Sequence, residues 1–482
     1  MQVKVADSSL PVPVTVGCPW EARRVLGKPG GVVRLRAFAV GRSPVVLCRT
    51  PRLPAFLRWP VKAWSGTSPR LGGMLAARAG CHSPCAEGAS SDVPQRLSNG
   101  CQRPRWWRLL LAYLLTTLAL PGWTGTCQTE NLLLVTLDGL RWQEVFSGID
   151  GAIFRDAGVI RHHGLFAGFE ATYWRHTREA RREALMPFLW SVVASRGQLL
   201  GDRTLGNLVQ VANPYHFSYP GYSEILTGIV DPAINSNDKV PNPNRSFLEW
   251  LNAMPAFAGR VAAFASWEVF PAILNVPRSG LPVNAGFAPL VLPGNPAVTL
   301  LNALQTEVPS PWDTVRLDAF TQRFAAAYLA AARPRVLYVA LGETDDFAHD
   351  GAYDLYARAA TRNDTMLRAL WEQVQADTSY RDRTTLIVTT DHGRGRTPAD
   401  WTSHGVGGAA APDGYAGDEE TWLAVLGPDT PARGVLTGGD TVVAGSVAAS
   451  ALALLGIDRA AMDPEGRMAP PIDGIVDCTR AR

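Results

Sequence analysis

Three aspartates, three histidines and one serine of this chain could bind metal together, and several of them stand where short apolar runs end. Asp138 closes Asn131–Leu137 (NLLLVTL), and Asp391-His392 closes Thr384–Thr390 (TTLIVTT). Asp345 and His349 follow Arg335–Leu341 (RVLYVAL), four residues apart, so that one helical turn would bring both onto one face. His404 lies twelve residues beyond His392. Ser218 opens a helical pattern in FSYPGYSEILTG, where backbone amides and the helix dipole favour an anion. Carboxylate oxygens beside imidazole nitrogens suit a divalent metal. A serine held at such a metal loses its proton readily and becomes a nucleophile. Each residue also has a plainer reading. Asp-Gly after a strand makes turns, a serine before a helix caps it, and an i, i+4 Asp/His pair forms surface contacts. Seven such residues together supply three or four ligands to each of two metals. His162, His163, His176 and His216 lack comparable neighbours and read as ordinary histidines.

The elements that would position these groups are legible in the same runs. Asn131–Leu137, Val261–Ser266, Arg335–Leu341, Thr384–Thr390 and Thr421–Leu426 are nearly continuous apolar stretches, as in parallel strands buried on both faces. Leu317–Ala331, Leu355–Val374 and Ser446–Leu455 carry helical periodicity between and after them. Alternation of this kind predicts an α/β fold. It is a single large domain with a mostly parallel, doubly wound central sheet sandwiched by helices, with loop or cap insertions. Ligands of such sheets bind outside the carboxyl ends of the strands, where the candidate residues lie. Arg175–Glu183 reads as a solvated helix face and Ser236–Arg245 as an ordered polar loop.

The formal charge of +3 divides unevenly along the 482 residues. Residues 1–105 hold 16 basic and 4 acidic side chains, and the rest hold 30 and 39. Five of the seven cysteines fall in the first segment, where Cys81 and Cys85 lack the second pair that a zinc finger needs. Arg103–Arg108 is a basic stretch, Leu109–Leu120 an apolar run and Pro121–Thr126 a turn-forming, small-residue stretch, the layout of a secretory signal peptide. Twelve residues rise about 18 Å as a helix, too little to span a bilayer core of about 30 Å. The expected organisation is a non-native or disordered extension over 1–102 from a mis-assigned start, a signal peptide over 103–127, and a catalytic domain over 128–482. The exported chain would be periplasmic or extracellular and keep no stable membrane span. It would be acidic, with no electrostatic reason to bind nucleic acid. Its remaining cysteines, Cys127 and Cys478, could pair after oxidising export.

The order of these motifs resembles the alkaline phosphatase superfamily of metalloenzymes. The sequence carries an Asp after the first strand, then nucleophile-x-Pro leading to Thr-Gly. Asp-x-x-x-His, Asp-His-Gly and a final His follow. Ser-Tyr-Pro-Gly-Tyr-Ser is similar to the Thr-Phe-Pro-Asn-His-Tyr of the nucleotide pyrophosphatase/phosphodiesterase branch. TLDGLRWQEVFSG, LMPFLW and INSNDKVPNPN resemble bacterial secreted proteins described as alkaline-phosphatase-family or phosphoglyceromutase-like. The resemblance implies that Asp345, His349 and His404 hold one metal, and that Asp138, Asp391, His392 and Ser218 hold the other. Two ions about 4 Å apart would flank an in-line phosphoryl displacement. Zinc is the default metal on ligand type, and manganese is the alternative that the oxygen donors admit. Ser218 would be the nucleophile of a phosphoric ester hydrolase acting on a small phosphorylated substrate, mono- or diester, and passing through a phospho-serine. The alternatives are a phosphomutase or phosphotransferase using the same serine, and a secreted metal- or ligand-binding protein without turnover. Arg141, Tyr222 and Arg394 would bind substrate, with Arg396 a further candidate for phosphate oxygens. Specificity would lie in Arg141–Met186 and Ser236–Arg245. Gly221-Tyr222 replaces the Ser-Arg pair of a sulfatase motif, which disfavours sulfatase chemistry. Ser223 is the second-choice nucleophile.

Overall fold

The seven residues of β1 (Asn131–Leu137) are buried along their whole length and feed two cores in alternation. Leu133, Val135 and Leu137 join the core on one face of the sheet, and Leu132 and Leu134 join that on the other. In the computed structural model, which describes residues 127–156, 168–406 and 412–478, β1 lies near the middle of an eight-stranded sheet. The expected extension and the signal segment through residue 126 lie outside the described residues, as do His162 and His163. Among the described residues, no helix is long and apolar enough to cross a membrane.

The remaining strands are β2 (Gln198–Leu200), β3 (Val209–Gln210), β4 (Val261–Ala265), β5 (Val283–Ala285), β6 (Val336–Leu341), β7 (Thr384–Thr389), β8 (Glu420–Thr421), β9 (Leu423–Leu426), β10 (Gly434–Val435) and β11 (Val442–Val443). The large sheet runs β10-β2-β9-β7-β1-β6-β4-β5, and β11-β3-β8 form a small second sheet. Five adjacent strands, β7 through β5, are parallel. Helices Asp318–Ala332 and Tyr353–Ala376 pack on one face, and Ser218–Thr227 and Ser446–Leu454 pack on the other. This is the mostly parallel, doubly wound sheet between helices that the alternating pattern predicts.

One expectation is corrected. Thr421–Leu426 is not a single parallel strand. It divides at Trp422 into β8, which pairs with β3, and β9, which runs antiparallel to both β7 and β2. An apolar run encodes burial on both faces but carries no strand direction.

Two tethers frame the domain. Cys127 and Cys478 form a disulfide across a sequence separation of 351, beside Asp429, whose carboxylate accepts from the Gln128 and Thr129 amides. Glu224, 1% exposed, accepts from the Ala212 and Asn213 amides, the Asn213 side chain and the Gly445 amide. It fastens the Ser218–Thr227 helix to two other chain segments. Truncation would strand these buried donors, at roughly 1–3 kcal/mol for each left unmet. Glu224→Ala is therefore expected to lower the urea-unfolding free energy by more than about 3 kcal/mol. A loss below about 1 kcal/mol would mean that water replaces the clamp.

Candidate metal centre

The centre lies at the carboxyl ends of the three adjacent strands β6, β1 and β7. Leu137 is in register with Leu341, and Thr136 with Thr389, so the residues that leave these strands emerge side by side. Asp138 leaves β1, Asp391-His392 leave β7, and the Glu343–His349 helix after β6 presents Asp345 and His349. Ser218 enters from above on the first turn of the Ser218–Thr227 helix. Its helix is capped at Phe217 with no side-chain hydrogen bond, so the serine hydroxyl does not serve as the N-cap. The Ser218 Oγ lies 3.3 Å from His392 Nε2 instead.

Two glycines permit this convergence. Gly139 has φ +57, and a Cβ there would meet Asp345 Oδ1 at 2.6 Å; its amide donates to Asp391 Oδ1. A Cβ on Gly221 would come within 2.2 Å of the Asp391 carbonyl oxygen. Gly221, where the phosphodiesterase pattern has Asn, lets the serine helix press directly on the strand end.

The seven residues form two adjoining groups of donors that meet at His392, whose Nε2 is also 3.7 Å from Asp345 Oδ1. His392 Nε2 lies 3.3 Å from Asp138 Oδ1, 3.4 Å from Asp391 Oδ2 and 3.3 Å from Ser218 Oγ. His349 Nε2 lies 3.0 Å from His404 Nε2 and 3.2 Å from Asp345 Oδ2, with Asp345 Oδ1 3.5 Å from His404. Ligands at 2.0–2.1 Å around a tetrahedral ion are separated by about 3.3 Å. The donor set fits a divalent metal on other grounds as well. Asp138 Oδ1 and Asp391 Oδ2 are buried oxygens without a hydrogen-bond partner, both facing His392. An unmet buried carboxylate oxygen is costly unless a cation takes it.

Tautomers agree with this. His392 Nδ1 faces the Gly393 carbonyl at 2.9 Å, and His404 Nδ1 faces the His216 carbonyl at 3.2 Å. Carbonyls only accept, so both Nδ1 atoms carry hydrogen, and Nε2 is the nitrogen that each ring turns inward. The two rings stack with centroids 3.7 Å apart.

The charge balance is that of a cation site. Burial, then the charge of Asp345, raises the Asp138 carboxyl, and burial, then Asp138, pushes Asp391 well above the usual range. Burial alone would depress His392, but the charges of Asp391, Asp345 and Asp138 push it up to about 9. Burial, then His392, holds His404 well below its ordinary value. For Asp345 burial acts upward and is overcome by Arg394, then by His349 and His404, leaving the carboxyl well below its ordinary value. Three acidic side chains within one buried cluster thus repel each other wherever histidine or arginine does not compensate.

The three residues expected at the substrate lie behind the donors. Arg141 is fully buried and forks onto Glu144, with Nη1 on the Gly395 carbonyl. Arg394 is also fully buried, pairs with Asp345 and donates to the Thr402 carbonyl at 2.7 Å. Tyr222, 1% exposed, donates its hydroxyl to Asp138 Oδ2 at 2.8 Å. Proximity to a motif does not fix which side of a loop an arginine takes, and the buried carboxylates claim these donors. Arg396 pairs with Glu420. Ser223, the second-choice nucleophile, accepts from Asn242 and is buried on the far side of its helix turn. Tyr222 turns Asp138 so that Oδ1 alone faces the centre. Tyr222→Phe keeps the ring packed on Phe270 and is expected to weaken divalent-metal binding about tenfold. Chelator competition measures this, and the melting temperature should change little.

The cleft above the donors has a volume of about 420 Å³. Phe217, Val406 and Tyr415 form its walls, with Asn237 beside Ser218. Asn237 was not singled out by the sequence, although it sits in the polar loop expected to affect specificity. Its Oδ1 accepts from the Tyr219 amide at 2.9 Å, which leaves Nδ2 as the group it can offer an anion. Residues 157–167 of the other expected specificity segment lie outside the described residues.

The family described as type I phosphodiesterase / nucleotide pyrophosphatase matches residues 218–422, the stretch from the serine through β8. The match makes that stretch of the chain similar to this family. No curated protein matches the chain. Among solved structures, the alkaline phosphatase PafA is similar at 9% identity, over 73% of this chain and 99% of its own, with a TM-score of 0.45. A phosphonate monoester hydrolase of Agrobacterium radiobacter is similar at 13% identity over 68% and 74%, with a TM-score of 0.39. The lipoteichoic acid synthase LtaP from Listeria monocytogenes is similar at 10% identity over 70% and 75%, with a TM-score of 0.43.

Proposed function

We propose that this chain is a member of the alkaline phosphatase superfamily, an exported, two-metal phosphoric ester hydrolase with Ser218 as nucleophile. The observation that carries the reading is the pair of donor groups, spaced for divalent ions, with the serine hydroxyl against one of them. Asp138, Asp391, His392 and Ser218 would hold one ion, and Asp345, His349 and His404 the other. The ions, zinc on this donor set, would supply positive charge to the phosphoryl oxygens and lower the proton affinity of the serine hydroxyl.

The chain's own residues set the rest. The helix N-terminus and the Asn237 amide favour an anion beside Ser218. Ser218 gives its hydroxyl proton to solvent, the Oγ–P bond forms as the bond from phosphorus to the departing ester oxygen breaks, and that oxygen takes a proton from solvent. Water then attacks the phospho-serine, the Oγ–P bond breaks, and the serine regains its proton. A diester is the favoured substrate. Among the described residues lining the cleft there is no arginine or lysine to offset the second negative charge of a monoester. Export is supported by the layout of residues 103–126 and by the Cys127–Cys478 disulfide, which keeps Cys127 in the mature chain and suits an oxidising compartment.

The test is release of nitrophenol from bis(4-nitrophenyl) phosphate and from 4-nitrophenyl phosphate by the zinc-loaded protein. The reading expects hydrolysis, faster on the diester. Zinc binding without turnover of either ester would favour the silent binding protein.

A further inference from the structure

The histidine that sequence alone leaves without a role, His216, stands two residues before the nucleophile and closes a chain of contacts that ends on His404. Its backbone is left-handed, with φ +51, a conformation that a residue with a Cβ adopts only when its surroundings hold it there. Three contacts hold it. The Asn213 Oδ1 accepts from the Tyr215 and His216 amides, and Asn213 is itself fixed by Glu224. The third contact is on the side chain, where His216 Nδ1 lies 2.7 Å from Asp418 Oδ1. A carboxylate accepts, so the ring donates. The other oxygen of Asp418 accepts from the Gly405 amide at 3.0 Å and the Tyr415 amide at 2.9 Å, and its backbone carbonyl accepts from Gly393. Asp418 is 2% exposed. It therefore grips the residue after His392, the residue after His404 and the residue two before Ser218. Both of its carboxylate oxygens are engaged by N–H donors, which argues against a further metal there.

The held backbone has one outward consequence. The His216 carbonyl points at His404 Nδ1, 3.2 Å away, and fixes the hydrogen on that nitrogen. The opposite nitrogen, Nε2, is then the lone pair that faces His349 and Asp345.

We infer that Asp418 and His216 form a latch that positions His404, setting its tautomer and ring orientation for metal binding through the carbonyl of residue 216. The inference rests on the metal-site reading above. His216 is a positioning residue: its imidazole touches neither substrate nor ion and acts only by holding its own backbone. Partners of this kind behind a ligand histidine change metal affinity about 10- to 100-fold when removed.

The test compares the full chain with His216→Ala, His216→Asn and Asp418→Asn. Zn2+ affinity is read by competition with a chromogenic chelator, ligand geometry by the absorption bands of the Co2+-loaded protein, and hydrolysis by separate kcat and KM. For His216→Ala the expectation is one Zn2+ equivalent held about 10- to 100-fold more weakly. The Co2+ spectrum should be altered and kcat lowered, with KM little changed. His216→Asn should recover most of the loss, because Asn tolerates left-handed backbone and offers an amide to Asp418. Asp418→Asn keeps an oxygen for the Gly405 and Tyr415 amides while loosening the grip on His216. It should weaken the same equivalent by a smaller factor, and it carries the comparison if His216→Ala fails to fold. Wild-type affinity and an unchanged Co2+ spectrum in His216→Ala, or in Asp418→Asn where the alanine variant is unfolded, overturn the latch alone. A wild-type protein that takes up no Zn2+ overturns the latch and the metal-site reading together.

Discussion

Replacing Ser218 by alanine is expected to reduce phosphoric ester hydrolysis by roughly 10⁴-fold or more, the scale on which covalent nucleophiles are lost from hydrolases. The hydroxyl faces His392 Nε2 at 3.3 Å, is 6% exposed and serves no cap, so its removal deletes a reacting atom rather than a structural bond. Folding should be unaffected, since the helix is held by Glu224 and by burial of Tyr219, Tyr222 and Ile225. The variant should retain Zn2+, because Asp138, Asp391 and His392 remain, with affinity lowered by the missing oxygen. Steady-state kinetics and metal analysis on one preparation check both halves. A Ser218→Ala protein that keeps more than about a tenth of the wild-type rate would remove the serine from the chemistry.

Removal of metal is expected to have the second-largest effect. Treatment with a strong chelator should abolish hydrolysis to within the background rate, and Zn2+ should restore it. Stability should fall as well, because Asp138 and Asp391 are buried with unmet oxygens facing His392. A ligand at a thousandfold excess over its dissociation constant stabilises the folded state by about 4 kcal/mol. For a domain of this size, that corresponds to a melting temperature at least about 5 °C higher. Calorimetry of the loaded and stripped protein measures the difference. Equal melting temperatures and equal rates, with metal absence verified by elemental analysis, would contradict the proposed centre.

The parts of the fold that were legible are those with strong local signatures. The continuous runs of β1, β6 and β7 are buried on both faces and end in the acidic residues that define the site. Asp345 and His349 fall on one short helix, as their spacing predicts. What escaped has no local signature. β2, β3, β10 and β11 are two or three residues long and hold no period. The direction of β9 is set by its neighbours rather than by its own residues. Arg141, Tyr222 and Arg394 carry the right chemistry beside the right motifs, yet each spends its donors on a buried carboxylate. His216 looks isolated in sequence because the carboxylate that engages it is 202 residues away. Gly221, a departure from the phosphodiesterase pattern, is explained by a contact that only the folded chain reveals, the Asp391 carbonyl where a Cβ at residue 221 would lie.

The central claim is that Ser218 carries the phosphoryl group between two donor groups built for metal. Acid quench of the zinc-loaded enzyme during turnover of a nitrophenyl phosphate ester, followed by peptide mass spectrometry, tests it most directly. The account predicts a phosphoryl group on Ser218 in the wild-type protein and none in Ser218→Ala. A phosphoryl group on Ser223 or elsewhere, or full turnover with no phosphorylated peptide at any quench time, would contradict it.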